Sequence, residues 1–219
     1  MRVYYLCDSH HALLNIALRR MKVSRVADLN DPFELLPINL RDKRLRTLLH
    51  STREQFHQEY GVLCFSRAWS NPVLWSHYAD KHRGICLGFD VADELIKPIS
   101  YVPRLAQVSI NSKFTKESLV RFIKEQFLFT KFVGWQYEDE VRAFVQLDHS
   151  TNESGLYFVD FSSQLRLQEV ILGPRCEVSI AKARDLVSTF THKVHVIKSR
   201  IAFTKFAVVE NRQFRRHNN

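Results

Sequence analysis

The sequence predicts an α+β protein built on a mixed or largely antiparallel sheet. Short runs rich in aromatic and β-branched residues recur along the whole chain, and helical stripes separate only some of them, so the steady βαβα alternation of a doubly wound sheet is missing. Neither G-x-G-x-x-G nor G-x-x-x-x-G-K-[ST] occurs, which removes the two commonest nucleotide cradles. The 219 residues suffice for one sizeable core. We expect a single domain over 1–210 and a frayed basic tail, NRQFRRHNN, over 211–219.

The elements follow in order. VYYLC, 3–7, reads as a strand, and Asp8 and Ser9 offer N-cap oxygens to a helix reaching about residue 21, with Leu13, Leu14, Ala17, Leu18 and Met21 on its apolar face. In LNDPFE the side chains of Asn30 and Asp31 fix a turn and Phe33 inserts into the core. A charged helix over 42–60 buries Leu45, Leu48, Leu49 and Phe56. GVLCFS, 61–66, is an apolar strand ending in a serine. Asn71-Pro72 then starts a helix that stops at Gly84, and ICLGFD is a buried strand. A helix over 116–132 carries Phe122, Phe127, Phe129 and Phe132, and WQYEDEVRAFVQL is one strand. Strands GLYFVDF and LQEVILG, a helix over 179–191, and strands KVHVIKS and AFTKFAVVE complete the chain.

Lysine and arginine number 32 against 23 acids, and the net charge of +9 would attract a polyanion or a phosphate-bearing ligand. A basic surface without a specific partner is the plainer account of any single cluster. The cysteines at 7, 64, 86 and 176 form no C-x-x-C pair, so neither a zinc site nor a disulfide framework is expected. No run reaches membrane-spanning length, and the N-terminus lacks the pattern of a signal peptide; a reduced, cytoplasmic protein without a membrane partner is expected.

The chemistry concentrates in WQYEDEVR, 135–142. On a strand, Glu138 and Glu140 share one face with Arg142, and two carboxylates held together raise the pKa of one unless a cation intervenes. The plain alternative is a solvated edge strand with a surface salt bridge worth under ~1 kcal/mol. Ser66 closes a buried strand just before an aromatic helical face with Tyr78, which could admit a ligand or simply pack; His77 adjoins that face. Of Tyr4 and Tyr5, one must point inward, and Glu34 faces a site or water.

Together the motifs NDPFE, CFS, WSHYA-D-x-H-x-G-x-C-L-x-F, K-x-x-x-W-x-YE-x-E-x-R from Lys131 and EVILGP resemble a bacterial family catalogued as domain of unknown function 2971. More loosely, the order of a first-strand residue, a central strand ending in serine and a late Glu-x-Glu resembles the three-part signature of ADP-ribosyltransferases. That resemblance implies two small sheets pinching NAD, as substrate, in a cleft. It also implies that Tyr4 or Tyr5 holds one end of NAD, Ser66 braces the pocket, Tyr78 stacks on nicotinamide, and Glu140 is catalytic with Glu138 as its partner. Arg142, Lys131 or Arg83 would hold the pyrophosphate. Asn30, Asp31, Glu34 and His77 remain for the acceptor, a nucleic acid given the basic surplus, in a toxin or phage-defence setting in which an antitoxin protein is a conceivable partner. Two other classes stay open. One is a nuclease in which Glu138 and Glu140 with Asp31 or His77 hold Mg²⁺; the other is a non-enzymatic nucleic-acid-binding module whose aromatics stack bases.

Overall fold

The computed structural model describes residues 1–33, 36, 38–107, 121, 128–150 and 152–217. The expected site residue Glu34, and Phe122 and Phe127 of the expected aromatic helix, lie outside the described residues, as does the side chain of Leu48.

The fold is α+β. In chain order the elements are β1 (Arg2–Cys7), α1 (Ser9–Leu18), β2 (Arg20–Arg25), α2 (Lys43–Glu59), β3 (Tyr60–Ser66), α3 (Pro72–Tyr78) and β4 (Ile85–Val91). Then come β5 (Lys97–Pro98), β6 (Ser100–Val102), β7 (Thr130–Phe132), β8 (Glu140–Gln146), β9 (Tyr157–Asp160), β10 (Leu165–Leu172), α4 (Ile180–Ser188), β11 (His195–Ile201) and β12 (Val208–Glu210). Ten strands join in one sheet, antiparallel except where β10 runs parallel to β11, and β6 and β7 form a separate parallel pair.

The large sheet is forked, which replaces the expected pair of sheets. β3 pairs with β8 along its whole length on one side. On its other side it meets β1 only at Tyr4↔Ser66 and β2 only at Ser24↔Val62 and Arg25↔Gly61. β1 then leads through β4 and β10 to β11 and β12, while β2 leads to β9. Between the two branches β3 has room beside it.

Side-chain alternation gives the sheet two unlike faces. Val3, Met21, Val23, Leu63, Phe65, Phe89 and Leu167 build the main core with Ala12 and Ile16 of α1 and Ala183 and Val187 of α4. On the opposite face α3 sets Leu74 and the fully buried Trp75 on Leu6, Cys86 and Ile171. At the other end of that face Phe56 of α2 packs on Tyr60 and Phe144, and between these two apolar patches lies a polar stretch that contains the fork.

Several local expectations need correction. α1 is capped by Asp8, whose side chain accepts from His11 N, but it ends at Leu18 because Arg19 turns left-handed at φ 51°. Leu14 and Leu18 are therefore exposed, Ala12 and Ile16 face the core, and Met21 belongs to β2, a strand the sequence reading missed. α3 has the predicted Asn71 cap and Pro72 start, yet it stops at Tyr78; Asp80, Lys81 and His82 all have positive φ before Gly84. Phe33 is 59% exposed, so it does not anchor its turn in the core. Leu45, Leu49 and Phe56 of α2 are buried as expected. Thr130–Phe132 is a strand where helix was expected. The tail beyond Glu210 is also ordered at its start: Asn211 N donates to Lys198 O at 2.7 Å, and Arg212–His217 form a 3-10 turn. Among the described residues no helix is long and apolar enough to cross a membrane.

Gly84 has the closest backbone approach of any glycine in the chain. A Cβ there would lie 2.1 Å from the Cys7 carbonyl oxygen, while Gly84 O also accepts from Gly173 N at 3.0 Å. Backbone cannot yield as a flexible side chain can. Gly84→Ala is therefore expected to lower unfolding free energy by about 3 kcal/mol, measured by urea denaturation; an unchanged midpoint would contradict this packing.

Candidate functional site

The fork opens into a cavity of about 230 Å³ on the polar stretch of that second face of the sheet. Tyr4 and Leu6 of β1, Lys22 and Ser24 of β2, and Val62, Cys64 and Ser66 of β3 line it. Across from them stand Asn30, Tyr78, Lys131, Glu138, Glu140 and Arg142. Asp28 and Leu29 close the side next to the turn after β2.

The two glutamates reach this cavity by a route that the sequence reading misassigned. Val133–Glu138 is a 3-10 turn, Asp139 is left-handed at φ 45°, and the strand begins only at Glu140. Glu138 and Glu140 are thus not successive residues of one strand face. Asp139 accepts the left-handed bend that aspartate tolerates better than most residues, and its carboxylate turns outward to pair with Arg67. The bend brings both glutamates back toward the same ammonium group.

That group is Lys131. Its Nζ lies 2.6 Å from Glu138 Oε2 and 3.2 Å from Glu140 Oε2. Arg142 Nε donates to Glu140 Oε1 at 2.6 Å and Nη2 donates to Oε2 at 3.1 Å, while Nη1 reaches Leu128 O at 3.2 Å. Three of these four residues are 5% exposed and Arg142 is 1% exposed. The indole of Trp135 faces the Lys131 ammonium at 4.9 Å. Two anions and two cations are balanced inside the protein, as burial of charge requires. Lys131 and Arg142, expected to hold pyrophosphate, are instead the counterions of the carboxylates.

The carboxylates are not equivalent. Glu140 has an arginine on both oxygens and a lysine on one, and the cations beside it outweigh burial, holding its pKa down at about 2. Its backbone N donates to the Tyr101 hydroxyl at 2.8 Å, which fixes the start of β8. Glu138 accepts from the Tyr78 hydroxyl and from Lys131, and burial pushes its pKa above the usual carboxylate range despite them. A carboxylate offers about four acceptor positions. Glu138 therefore keeps acceptor capacity for a ligand, whereas that of Glu140 is largely taken by protein donors.

Tyr78 links the cluster to the NDPFE turn, because its hydroxyl also accepts from Asn30 Nδ2 at 2.7 Å. Its own pKa is driven up by burial and by Glu138, so it stays a neutral donor. Ser66 pairs with Glu140 across β3 and β8, while its Oγ donates to Ala68 O at 2.7 Å and fixes the turn leaving the strand. Tyr4 is half-buried in the wall, its pKa raised to about 12 by burial and by nearby Glu169. Tyr5 borders the cavity but packs its ring edge-on to Phe65 of the main core.

Three expected site residues stand elsewhere. Arg83 is exposed beyond the far end of β1, where its carbonyl accepts from Ser9 Oγ at 2.8 Å; the early end of α3 carries it away from the cavity. Asp31 is buried, with Oδ1 accepting from Phe33 N at 2.9 Å, so it holds the turn. His77 is exposed and its Nδ1 is 2.8 Å from the Tyr137 hydroxyl, outside the cavity lining. Residues missed from the sequence are Lys22, Ser24, Asp28 and Tyr101. The alternation in Met21-Lys22-Val23-Ser24 was a usable strand signal for the first two.

Among the described residues no group of three or more His, Cys, Asp or Glu is arranged to hold a metal ion. No family model matches the chain, and neither a curated protein nor a solved structure matches it.

Removing one member of the buried cluster should strand its partners. Glu140→Gln is expected to cost about 3–5 kcal/mol in denaturant unfolding. A carboxylate with a lowered folded pKa stabilises fully above its unfolded value of about 4.3 and loses that effect as pH falls through the folded value. The gap between wild type and Glu140→Gln should accordingly shrink between about pH 4 and about 2. A gap that does not change over that range would remove Glu140 from the buried pair.

Proposed function

We propose that the protein is an NAD-dependent ADP-ribosyltransferase acting on nucleic acid, with NAD as substrate. One observation carries the reading: Ser66 and the Glu138/Glu140 pair, which the resemblance assigns to one cofactor cleft, line one cavity where the sheet forks. The forked sheet also supplies the two diverging branches between which such a cleft would lie.

The cavity, at about 230 Å³, is smaller than the roughly 300–1,000 Å³ of ordinary ligand pockets. It suits the nicotinamide and ribose end of the dinucleotide, with the diphosphate toward exposed Lys22 at the mouth. Lys22 takes over the part first assigned to Arg83. The ring of Tyr78 provides an aromatic wall for the nicotinamide.

The roles of the acids divide by their surroundings. Glu140, ionised at any working pH, keeps Lys131 and Arg142 in place and holds negative charge near the ribose as positive charge develops there. Glu138, with open acceptor positions and a raised pKa, is suited to take the proton of the attacking hydroxyl or amine. The acceptor atom bonds to ribose C1′ and the C1′–N bond breaks. Nicotinamide leaves with that electron pair, and the acceptor's proton passes to Glu138. Lys131 already occupies the space between the carboxylates that a bound Mg²⁺ would need, which disfavours the nuclease reading.

Incubation with NAD labelled on the adenylate, together with RNA, DNA or protein, tests the proposal. Label should move to a nucleic acid, and Glu138→Gln, assayed well below its own thermal midpoint because it also breaks the buried pair with Lys131, should slow transfer by about 10²–10⁴-fold. Transfer should rise with pH through a midpoint above about 4.3, because Glu138 must be ionised to act. Neither transfer nor nicotinamide release with any acceptor would reject the transferase, and divalent-dependent cleavage without NAD would establish the nuclease instead. Growth arrest on expression, relieved by Glu138→Gln, is the expected sign of a toxin or defence role.

A further inference from the structure

Outside the cavity lining, the hairpin joining β11 to β12 ends in an unusual tip. The ladder runs through Ile201↔Val208 and closes with Ala202 N donating to Ala207 O at 2.8 Å. This leaves Phe203-Thr204-Lys205-Phe206 projecting outward. Phe203 is 86% exposed and Phe206 100% exposed, where a strand had been expected over the whole of AFTKFAVVE. Two such exposed phenyl rings, each two residues from the Ile201↔Val208 pair, contribute nothing to the core. Their exposure is unfavourable for the isolated chain and calls for an occupant.

Charge names the occupant. Residues 198–219 contain six lysines and arginines and one acid, so this last tenth of the chain carries more than half of the net charge of +9. Arg200 already lies over the Phe203 ring, 4.3 Å from its centroid, and Lys205 sits between the two phenylalanines. Exposed Arg212 follows on the segment that Asn211 pins to β11. Aromatic faces interleaved with cations along an extended ribbon match the alternation of base and phosphate in a single strand. A duplex would hide the base faces that the rings require.

We propose that the β11–β12 hairpin, through Phe203, Phe206, Arg200, Lys205 and Arg212, is a binding site for single-stranded nucleic acid. As the capture site for a transferase acceptor it rests on the reading above, but binding itself does not require that chemistry. Val208 N donates to Ser70 O at 2.8 Å, which ties the base of the hairpin to the loop running from Ser66 to α3. A strand held at the tip is thus anchored to the segment that leaves the cavity wall.

Fluorescence anisotropy with labelled 20-nucleotide single-stranded RNA and DNA, and with the matching duplexes, tests this on the full chain. Single strands should bind more tightly than duplexes, and Phe203→Ala/Phe206→Ala should weaken them by at least about tenfold. Lys205→Ala/Arg212→Ala should make the slope of log affinity against log salt shallower by about 1–1.5. Binding should need no NAD, which separates failure of this site from failure of the transferase. No binding to any oligonucleotide, or equal binding by the Phe203/Phe206 variant, would overturn the proposal. So would variant-sensitive binding to phosphatidylserine vesicles, or a variant-sensitive dimer in sedimentation, in the absence of oligonucleotide binding.

Discussion

The ion cluster of Glu138, Lys131, Glu140 and Arg142 is the constraint around which this half of the molecule is arranged. Each charge is nearly removed from water, so each must find its opposite within hydrogen-bonding distance. Lys131 comes from a short strand, Glu138 from a 3-10 turn and the other two from β8, so meeting that requirement fixes three segments against each other. The left-handed Asp139 is the backbone expression of the same demand: without the bend, the first glutamate could not return to the lysine that the second also uses.

The fork in the sheet depends on a different balance. β3 is held along one side by β8 and only touched on the other by β1 and β2. Rigidity from β8 permits the opposite side to open without loss of the strand. The apolar face beneath, with Leu63 and Phe65 in the main core, prevents the opening from passing through the sheet. A polar cavity on a firm apolar floor is the result, and the aromatic wall of Tyr78 reaches it because α3 is anchored by Trp75.

Much of this was legible in the sequence because it was written in local patterns. Asn71-Pro72 announced a helix start, VYYLC and GVLCFS announced strands, and the crowding of acids in WQYEDEVR announced a compensated site. The identity of the compensating cations was half visible: Arg142 stood next on the face, while Lys131 was read as a ligand-binding group. What failed was left-handed backbone. Arg19, Asp139 and the run Asp80-Lys81-His82 all adopt positive φ without a glycine, and each cut short an element whose side-chain periodicity appeared to continue. Arg83 and Met21 were misplaced for that reason. Asp31 holds its turn as read, and only its second expected role, contact with the acceptor, is left outside the cavity lining, because a carboxylate that holds its own turn has the same sequence signature as one that meets a ligand.

The equal count of charges in the buried cluster has a consequence for encounter. Two positive and two negative groups packed together carry no net charge, so their field falls off faster with distance than that of a single charge, and salt screens what is left beyond a Debye length of about 8–10 Å. From solution the buried cluster contributes no net charge, and only a molecule already in the fork can sense its acids. More than half of the net charge belongs to the C-terminal residues 198–219, which are not part of the cavity lining. Attraction and discrimination are thereby assigned to separate parts of the chain: mobile salt can weaken the first, while the second is shielded from it by burial.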